Sequence, residues 1–315
     1  MSDSRPFEAT KKGGPGKQLF FRKYLGCSIV TICGLFMIAL TVSIGAFLIF
    51  KGMGTFARYG HSVFEFLFSS DWSPMDSGTK NGGGVGAAIY ICGSLLTCGL
   101  ALLIAAPFSL AAAIFITEIS PKLGAHLIQP AVEIFVGIPS VVYGWVGLTV
   151  LVPFIRDTFH APMGGYSVLA AAIVLSVMIF PTITTVAADS IRSVPVMYRE
   201  AAYGLGSTRW QTIYRVVVPA AAPGIITGIV LGLSRAFGKA LAVAMVIGKT
   251  RAFPAGLLYP TNNLTAAIAA DMGNSADGGE QNLALWSMAL LLFLISILFI
   301  VVIHGVGKKK EGMVE

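Results

Sequence analysis

Residues 195–219 read Pro195-Val196-Met197-Tyr198-Arg199-Glu200-Ala201-Ala202-Tyr203-Gly204-Leu205-Gly206-Ser207-Thr208-Arg209-Trp210-Gln211-Thr212-Ile213-Tyr214-Arg215-Val216-Val217-Val218-Pro219. Proline is favoured in the first helical turn, so a helix is expected just after Pro195. Its middle, Arg199 to Ala202, is helix-forming, and glycine closes it at Gly206. A second helix should follow at once, because Thr208 and Gln211 have the spacing of a capping box. That helix can run through Trp210, Ile213 and Tyr214 towards Pro219. The stretch therefore encodes two short helices joined by a tight glycine turn, with small Ala201 and Ala202 allowing close approach. Such a shape can insert into a groove.

On both sides of this stretch the chain becomes strongly apolar. Of 315 residues, 55% are hydrophobic and 12% charged, with a mean hydropathy of +0.79; water-soluble domains carry about 25% charged residues. A bilayer core needs about 20 consecutive apolar residues per helix. Stretches of that kind run from Leu25 to Phe50, Gly86 to Thr117, Leu127 to Phe154, Tyr166 to Ala188, Val216 to Ile247 and Leu283 to Gly305. The expected fold is an all-α, polytopic membrane bundle of six transmembrane helices. An even count puts both termini on one side. With that side inside, 14 Lys or Arg lie in the cytoplasm, 6 lie outside, and Arg235 and Lys239 fall within a span. This agrees with the positive-inside bias, and Lys308, Lys309 and Lys310 suit an anchor at the inner leaflet. Residues 1–23 are expected to be a disordered basic cytoplasmic leader and residues 24–307 the transmembrane domain. The hairpin occupies a cytoplasmic loop at about 193–218, and 308–315 form a cytoplasmic tail. The net charge of +7 then serves lipid orientation, not nucleic acid.

Several chemistries are missing. Gly248, Lys249 and Thr250 mimic the end of a nucleotide-phosphate cradle, but the glycine required five residues earlier is Val243. The run Gly82, Gly83, Gly84, Val85, Gly86 reads as a flexible lead into the second span. Cys27, Cys33, Cys92 and Cys98 all fall in spans without zinc-like spacing. No catalytic residues, cofactor site or metal site are expected, so any energy source must lie on a partner.

Two spans carry polar features. Pro139, in Gly137-Ile138-Pro139-Ser140-Val141-Val142-Tyr143-Gly144, removes a backbone donor in mid-membrane and frees a carbonyl that a neighbour or water must satisfy. Ser140 and Tyr143 lie three residues apart, on one face. Their hydroxyls either meet an oxyanion or bind neighbouring helices. In the fifth span Gly224, Gly228, Gly232, Arg235 and Lys239 fall within an arc of about 80° on one continuous helix. The glycines should face protein. Each cation at mid-membrane costs about 2.5–3.5 kcal/mol, and an anion passing between the two would offset both costs. The alternative is that they snorkel outwards or pair structurally.

The hairpin resembles the EAA loop of permeases of the type-I ABC importer class. Glu200, Ala201, Ala202, Gly206 and Pro219 fall in register, with Val216 and Val218 replacing Ile and Leu. Gly137 to Gly144, with Thr117-Glu118-Ile119-Ser120-Pro121, Trp72-Ser73-Pro74 and Leu264 to Gly273, is similar to phosphate permease subunits of the PstC type, over about Phe64 to Gly305. The resemblance implies the MetI-like architecture and a bacterial inner-membrane location. It also implies docking of an ATPase through Glu200, Ala201, Ala202 and Gly206. The implied partners are a second permease (PstA-like), a dimer of ATPase subunits (PstB-like) and an extracytoplasmic phosphate-binding protein (PstS-like), with inorganic phosphate as cargo. Arg235, Lys239, Ser140 and Tyr143 are the pathway candidates. The family pattern R-A-x-G-E-T appears here as Arg235-Ala236-Phe237-Gly238-Lys239-Ala240, with lysine in place of the acid. Open alternatives are another oxyanion (molybdate, sulfate or phosphonate), an ATP-independent carrier or channel, or a phosphate-sensing scaffold.

Overall fold

A computed structural model describes residues 16–74 and 83–311. In chain order the elements are α1 (Gly16–Gly52), α2 (Gly54–Tyr59), α3 (Val63–Phe68), β1 (Trp72–Ser73), β2 (Gly84–Val85), α4 (Ala88–Ile114), α5 (Pro121–Leu123) and α6 (Gln129–Gly137). There follow α7 (Ser140–Val146), α8 (Val152–Phe159), α9 (Val168–Arg192), α10 (Val196–Gly204), α11 (Arg209–Thr212), α12 (Val218–Phe237), α13 (Ala240–Val246), α14 (Leu264–Asp271) and α15 (Glu280–Glu311). Among the described residues four π-helical turns, Phe115–Ile119, Gly124–Ile128, Gly147–Leu151 and Ile213–Val217, sit at helix junctions.

Among the described residues six helical segments are long and apolar enough to cross a membrane: Cys27–Tyr59, Ala88–Ile119, Ser140–Phe159, Met163–Arg192, Arg209–Phe237 and Glu280–Val302. The all-α polytopic fold is thus present, with two spans shorter than the apolar runs suggest. The third is broken at Ile138 (ψ 126°) and Pro139 (ψ 141°), because Pro139 cannot donate and holds its predecessor out of the helical region. The fifth ends at Phe237. Gly238 and Lys239 (φ −91°, ψ 86°) turn the chain before α13 begins, at a glycine that costs a helix interior about 1 kcal/mol.

The chain divides after Phe47. The described part of the first unit, residues 16–47, is apolar helix of α1, whose last residues, 48–52, belong to the second unit. That helix starts at Gly16, so it extends into the segment expected to be disordered; residues 1–15 lie outside the described residues. The expected boundary at 307 is likewise crossed by α15, which continues to Glu311, and 312–315 are outside the described residues.

The second unit is organised around α9, which packs against both α4 and α12, and these two also touch each other. Ala170, Ala171, Leu175, Ile179, Ile183, Ala187 and Ile191 of α9 are all buried. Lipid is as apolar as these side chains, so close packing, not escape from water, holds membrane helices together. The glycine stripe of α12 supplies that packing. A Cβ on Gly224 would lie 2.1 Å from Ser190 Oγ, and one on Gly232 would lie 2.6 Å from Ile183 Cγ1. Hydroxyls saturate locally, as when Ser167 caps α9 by accepting from the Ala170 N–H at 3.1 Å.

At one end of the unit β1 and β2 form a two-residue antiparallel ladder, Trp72 opposite Val85 and Ser73 opposite Gly84. This corrects the reading of Gly83 to Gly86 as a loose lead; Gly82 lies outside the described residues. The glycines admit a close crossing. A Cβ at Gly86 would come 2.2 Å from the Ser69 carbonyl oxygen, and the Gly86 N–H donates to the Asp71 carbonyl at 2.7 Å. Phe66, Trp72, Tyr90, Leu264, Leu285 and Met288 form the small core beneath this ladder.

Candidate functional site: a docking hairpin and two broken spans

The hairpin forms as its residues dictate. Pro195 is the N-cap of α10, one position earlier than the first turn, and α10 ends at Gly204. Gly206 has φ +80°, a conformation open to glycine and strained for other residues. The Leu205 and Gly206 amides donate to the Ala201 and Tyr203 carbonyls at 3.1 and 2.9 Å. Thr208 then begins α11 with both halves of its capping box in place. Its N–H meets Gln211 Oε1 at 3.0 Å, and its hydroxyl accepts from the Gln211 N–H at 3.4 Å. Ser207 stitches the arms together, its hydroxyl 2.7 Å from the Ala202 carbonyl and 2.9 Å from Thr212 Oγ1.

Of the four docking candidates, Ala202 is buried at the base, whereas Glu200, Ala201 and Gly206 are exposed. Beside them large apolar side chains face outwards: Met197, Tyr198, Tyr203, Trp210, Tyr214 and above all Leu205, 90% exposed. A cleft of about 330 Å³ opens between the arms, lined by Tyr198, Ala201, Leu205, Gln211 and Arg215 among others. The hairpin thus carries an exposed apolar tip on a hydrogen-bonded frame.

Sequence reasoning did not foresee what holds the hairpin in place. Arg199 donates through Nε and Nη2 to Oε1 of Glu118, at 3.1 and 2.6 Å, and to the carbonyls of Val194 and Ile191 at 2.7 and 3.0 Å. Arg209, on the other arm, donates to the carbonyls of Glu118 and Ile119. A carboxylate ending the apolar second span, with arginines in the loop, was the available signal.

The two broken spans meet. A Cβ on Gly144 of α7 would come 2.9 Å from Ala242 Cα of α13, and one on Gly147 would come 3.0 Å from Val246. Residue numbers rise together across this contact, so α7 and α13 run parallel. Their first turns, with Ser140 on one and Lys239 just before the other, therefore lie at about the same level. Pro139 would have donated to the Phe135 carbonyl in an unbroken helix; the Tyr143 hydroxyl does so instead, at 2.8 Å. Tyr143 thus satisfies the freed carbonyl, and its proton is committed there. The cleft beside it, about 310 Å³ and lined by Phe135, Val142, Val146 and Val177, is apolar and offers no place for a hydrated anion.

Arg235 stays on the α12 stripe, where its Nη1 donates to Thr182 Oγ1 of α9 at 2.6 Å. Its side chain is exposed in the isolated chain. Lys239 leaves the stripe because the helix stops at Phe237, which corrects the expected array of five residues on one helix. Arg235 and the docking residues are not brought together: 17 helical residues beyond Val218, Arg235 stands about 25 Å along the helix from its start. Among the described residues no group of three His, Cys, Asp or Glu side chains could hold a metal ion.

The profile of a family described as "binding-protein-dependent transport system inner membrane component" matches residues 105–311. A probable ABC transporter permease protein, YqgH, of Bacillus subtilis (strain 168) is 49% identical over 286 residues, covering 91% of each chain. The phosphate transport system permease protein PstC of Pasteurella multocida is 34% identical over 280 residues, covering 83% of this chain and 84% of that one. Among solved structures, a chain of a bacterial alginate ABC transporter matches with a TM-score of 0.62 at 17% identity, over 93% of this chain and 96% of its own. That likeness concerns the fold.

Proposed function

The chain belongs to the family of binding-protein-dependent transport system inner membrane components, and from that membership we propose that it is the permease through which an ATP-driven complex imports inorganic phosphate. It is a multi-pass membrane protein and the permease component of an ABC importer. The observation that carries the energetic half of the proposal is the hairpin, whose framed apolar tip suits the cleft of a cytoplasmic ATPase. Glu200, Ala201 and Gly206 dock it, with Ala202 packed beneath them, the hairpin end faces the cytoplasm, and both termini lie on that side. Two ATPase subunits, a second permease, surrounding lipid and an extracytoplasmic phosphate-binding protein complete the complex.

The cargo is supported by the 34% identity to a phosphate transport permease and by the placement of the cations. Arg235, exposed beside the Thr182 hydroxyl, awaits an anion or a partner surface, and Ser140 and Lys239 share a level at the junction of two helix breaks. In our reading Arg235, Lys239 and Ser140 line the pathway, while Tyr143 holds the third-span break in shape. Interrupted helices of this kind are where transporters expose backbone and charge to a substrate. Lysine at 239 removes the local acid that would balance Arg235. The second permease then supplies that acid, or phosphate is held more tightly.

Reconstitution with the second permease, the ATPase and the binding protein tests this. Radiolabelled phosphate should enter proteoliposomes when ATP is present, be diluted by unlabelled phosphate, and be indifferent to molybdate, sulfate or a phosphonate. Arg235→Glu should lower uptake by at least about tenfold, since reversing one charge near an anion exceeds the 1.4 kcal/mol that a factor of ten represents. No phosphate uptake, with uptake of labelled molybdate, sulfate or a phosphonate in its place, would change the cargo. Undiminished phosphate flux without the ATPase would make the chain a passive carrier.

A further inference from the structure

The hairpin is joined by the chain to α9 and α12, and its arginine side chains bond to the turn that continues α4. Glu118 sits in the π-helical turn Phe115–Ile119 that ends the second span. Its carboxylate receives two donors from Arg199, on the first arm of the hairpin, with the two side chains 12% and 18% exposed. Arg209, on the second arm, holds the Ile119 carbonyl at 2.9 Å and the Glu118 carbonyl as well. Both arms therefore grip the single π-helical turn that continues α4. Charge-assisted bonds to an arginine fork fix direction as well as distance, and burial from solvent limits their screening.

We propose that Glu118 is a positioning residue for energy coupling: it makes α4 follow the hairpin when the ATPase closes, so that α4, α9 and α12 change state together. The inference rests on the docking reading above and adds the route by which work leaves the hairpin. Since α4 packs on α9 and also touches α12, a hairpin gripping the end of α4 displaces all three as one body. Without the grip, force passes through the loop backbone to α9 and α12, and α4 is pulled by its apolar packing alone, with no directional bond to the hairpin. Two rigid elements held by a specific contact are what a transmitted two-state change requires.

The test measures ATP hydrolysis and radiolabelled phosphate uptake in the same proteoliposomes containing the full complex. Glu118→Gln should still co-purify with the ATPase and hydrolyse ATP within about twofold of the unaltered complex. Phosphate moved per ATP should fall by about tenfold, the scale of losing one charged hydrogen-bond partner. Glu118→Asp, which keeps the carboxylate, should retain most of the ratio. A structural contact would not move the ratio. An unchanged ratio in Glu118→Gln, a parallel fall of hydrolysis and uptake, or loss of both variants from the membrane would overturn the proposal. Failure of the unaltered complex to hydrolyse ATP would instead strike the docking reading itself.

Discussion

At the scale of single residues, the chain answers the proline break in its third span with a specific partner. Pro139 leaves the Phe135 carbonyl without its donor, and Tyr143, four residues on, replaces it. Tyr143→Phe removes that replacement, and leaving a carbonyl unsatisfied in an apolar setting costs about 1–3 kcal/mol. A lower melting temperature of the purified chain in detergent, with assembly intact, is the expected outcome. An unchanged melting temperature would mean the carbonyl finds another donor. The proline and the orphaned acceptor were legible in the sequence, because both follow from the covalent structure of proline. The identity of the donor was not, since it depends on where α7 starts after the break. Lys239 illustrates the opposite case. Counting at 100° per residue put it on a stripe with Arg235, but the count assumes a continuous helix, and Gly238 ends that continuity.

At the scale of elements, glycine does two separate jobs, and substitution separates them. Gly206 has open space around a would-be Cβ but a φ of +80°, so Gly206→Ala meets backbone strain alone. A cost of about 1–2 kcal/mol should loosen the hairpin turn and make it cleave faster in limited proteolysis. Gly232 is helical, yet a Cβ there would press on Ile183 at 2.6 Å. Gly232→Val should therefore part α12 from α9 and destabilise the bundle by about 1–3 kcal/mol, read as loss of folded yield. Gly99 of α4 has nothing within 4 Å of its Cβ position, so Gly99→Ala should be neutral or stabilising by up to about 1 kcal/mol. If Gly99→Ala and Gly232→Val behaved alike, the packing account of the stripe would be wrong. The hairpin itself was largely readable, because its determinants are local: a proline, a capping box and a glycine turn. Its attachment to α4 was not, because Arg199 and Glu118 stand 81 residues apart in sequence and nothing local links them.

At the scale of the whole molecule, the six-span bundle was legible from hydropathy, since each span must satisfy its own backbone in lipid. What hydropathy lacked was the interior of the bundle: that α9 is its axis, and that the third and fifth spans are each interrupted and packed together at the interruption. These follow from helix contacts made by small residues, which give little periodic signal. Both the import reading and the coupling route require the hairpin to lie in the cytoplasm against an ATPase. The most direct measurement replaces Leu205, the most exposed apolar residue of the hairpin, by cysteine in a background where Cys27, Cys33, Cys92 and Cys98 are serine. A membrane-impermeant thiol reagent is then applied to right-side-out and to inside-out vesicles. The account predicts no labelling from outside, labelling in inside-out vesicles, and protection when the ATPase is bound. Labelling from outside, or equal labelling with and without the ATPase, would contradict it.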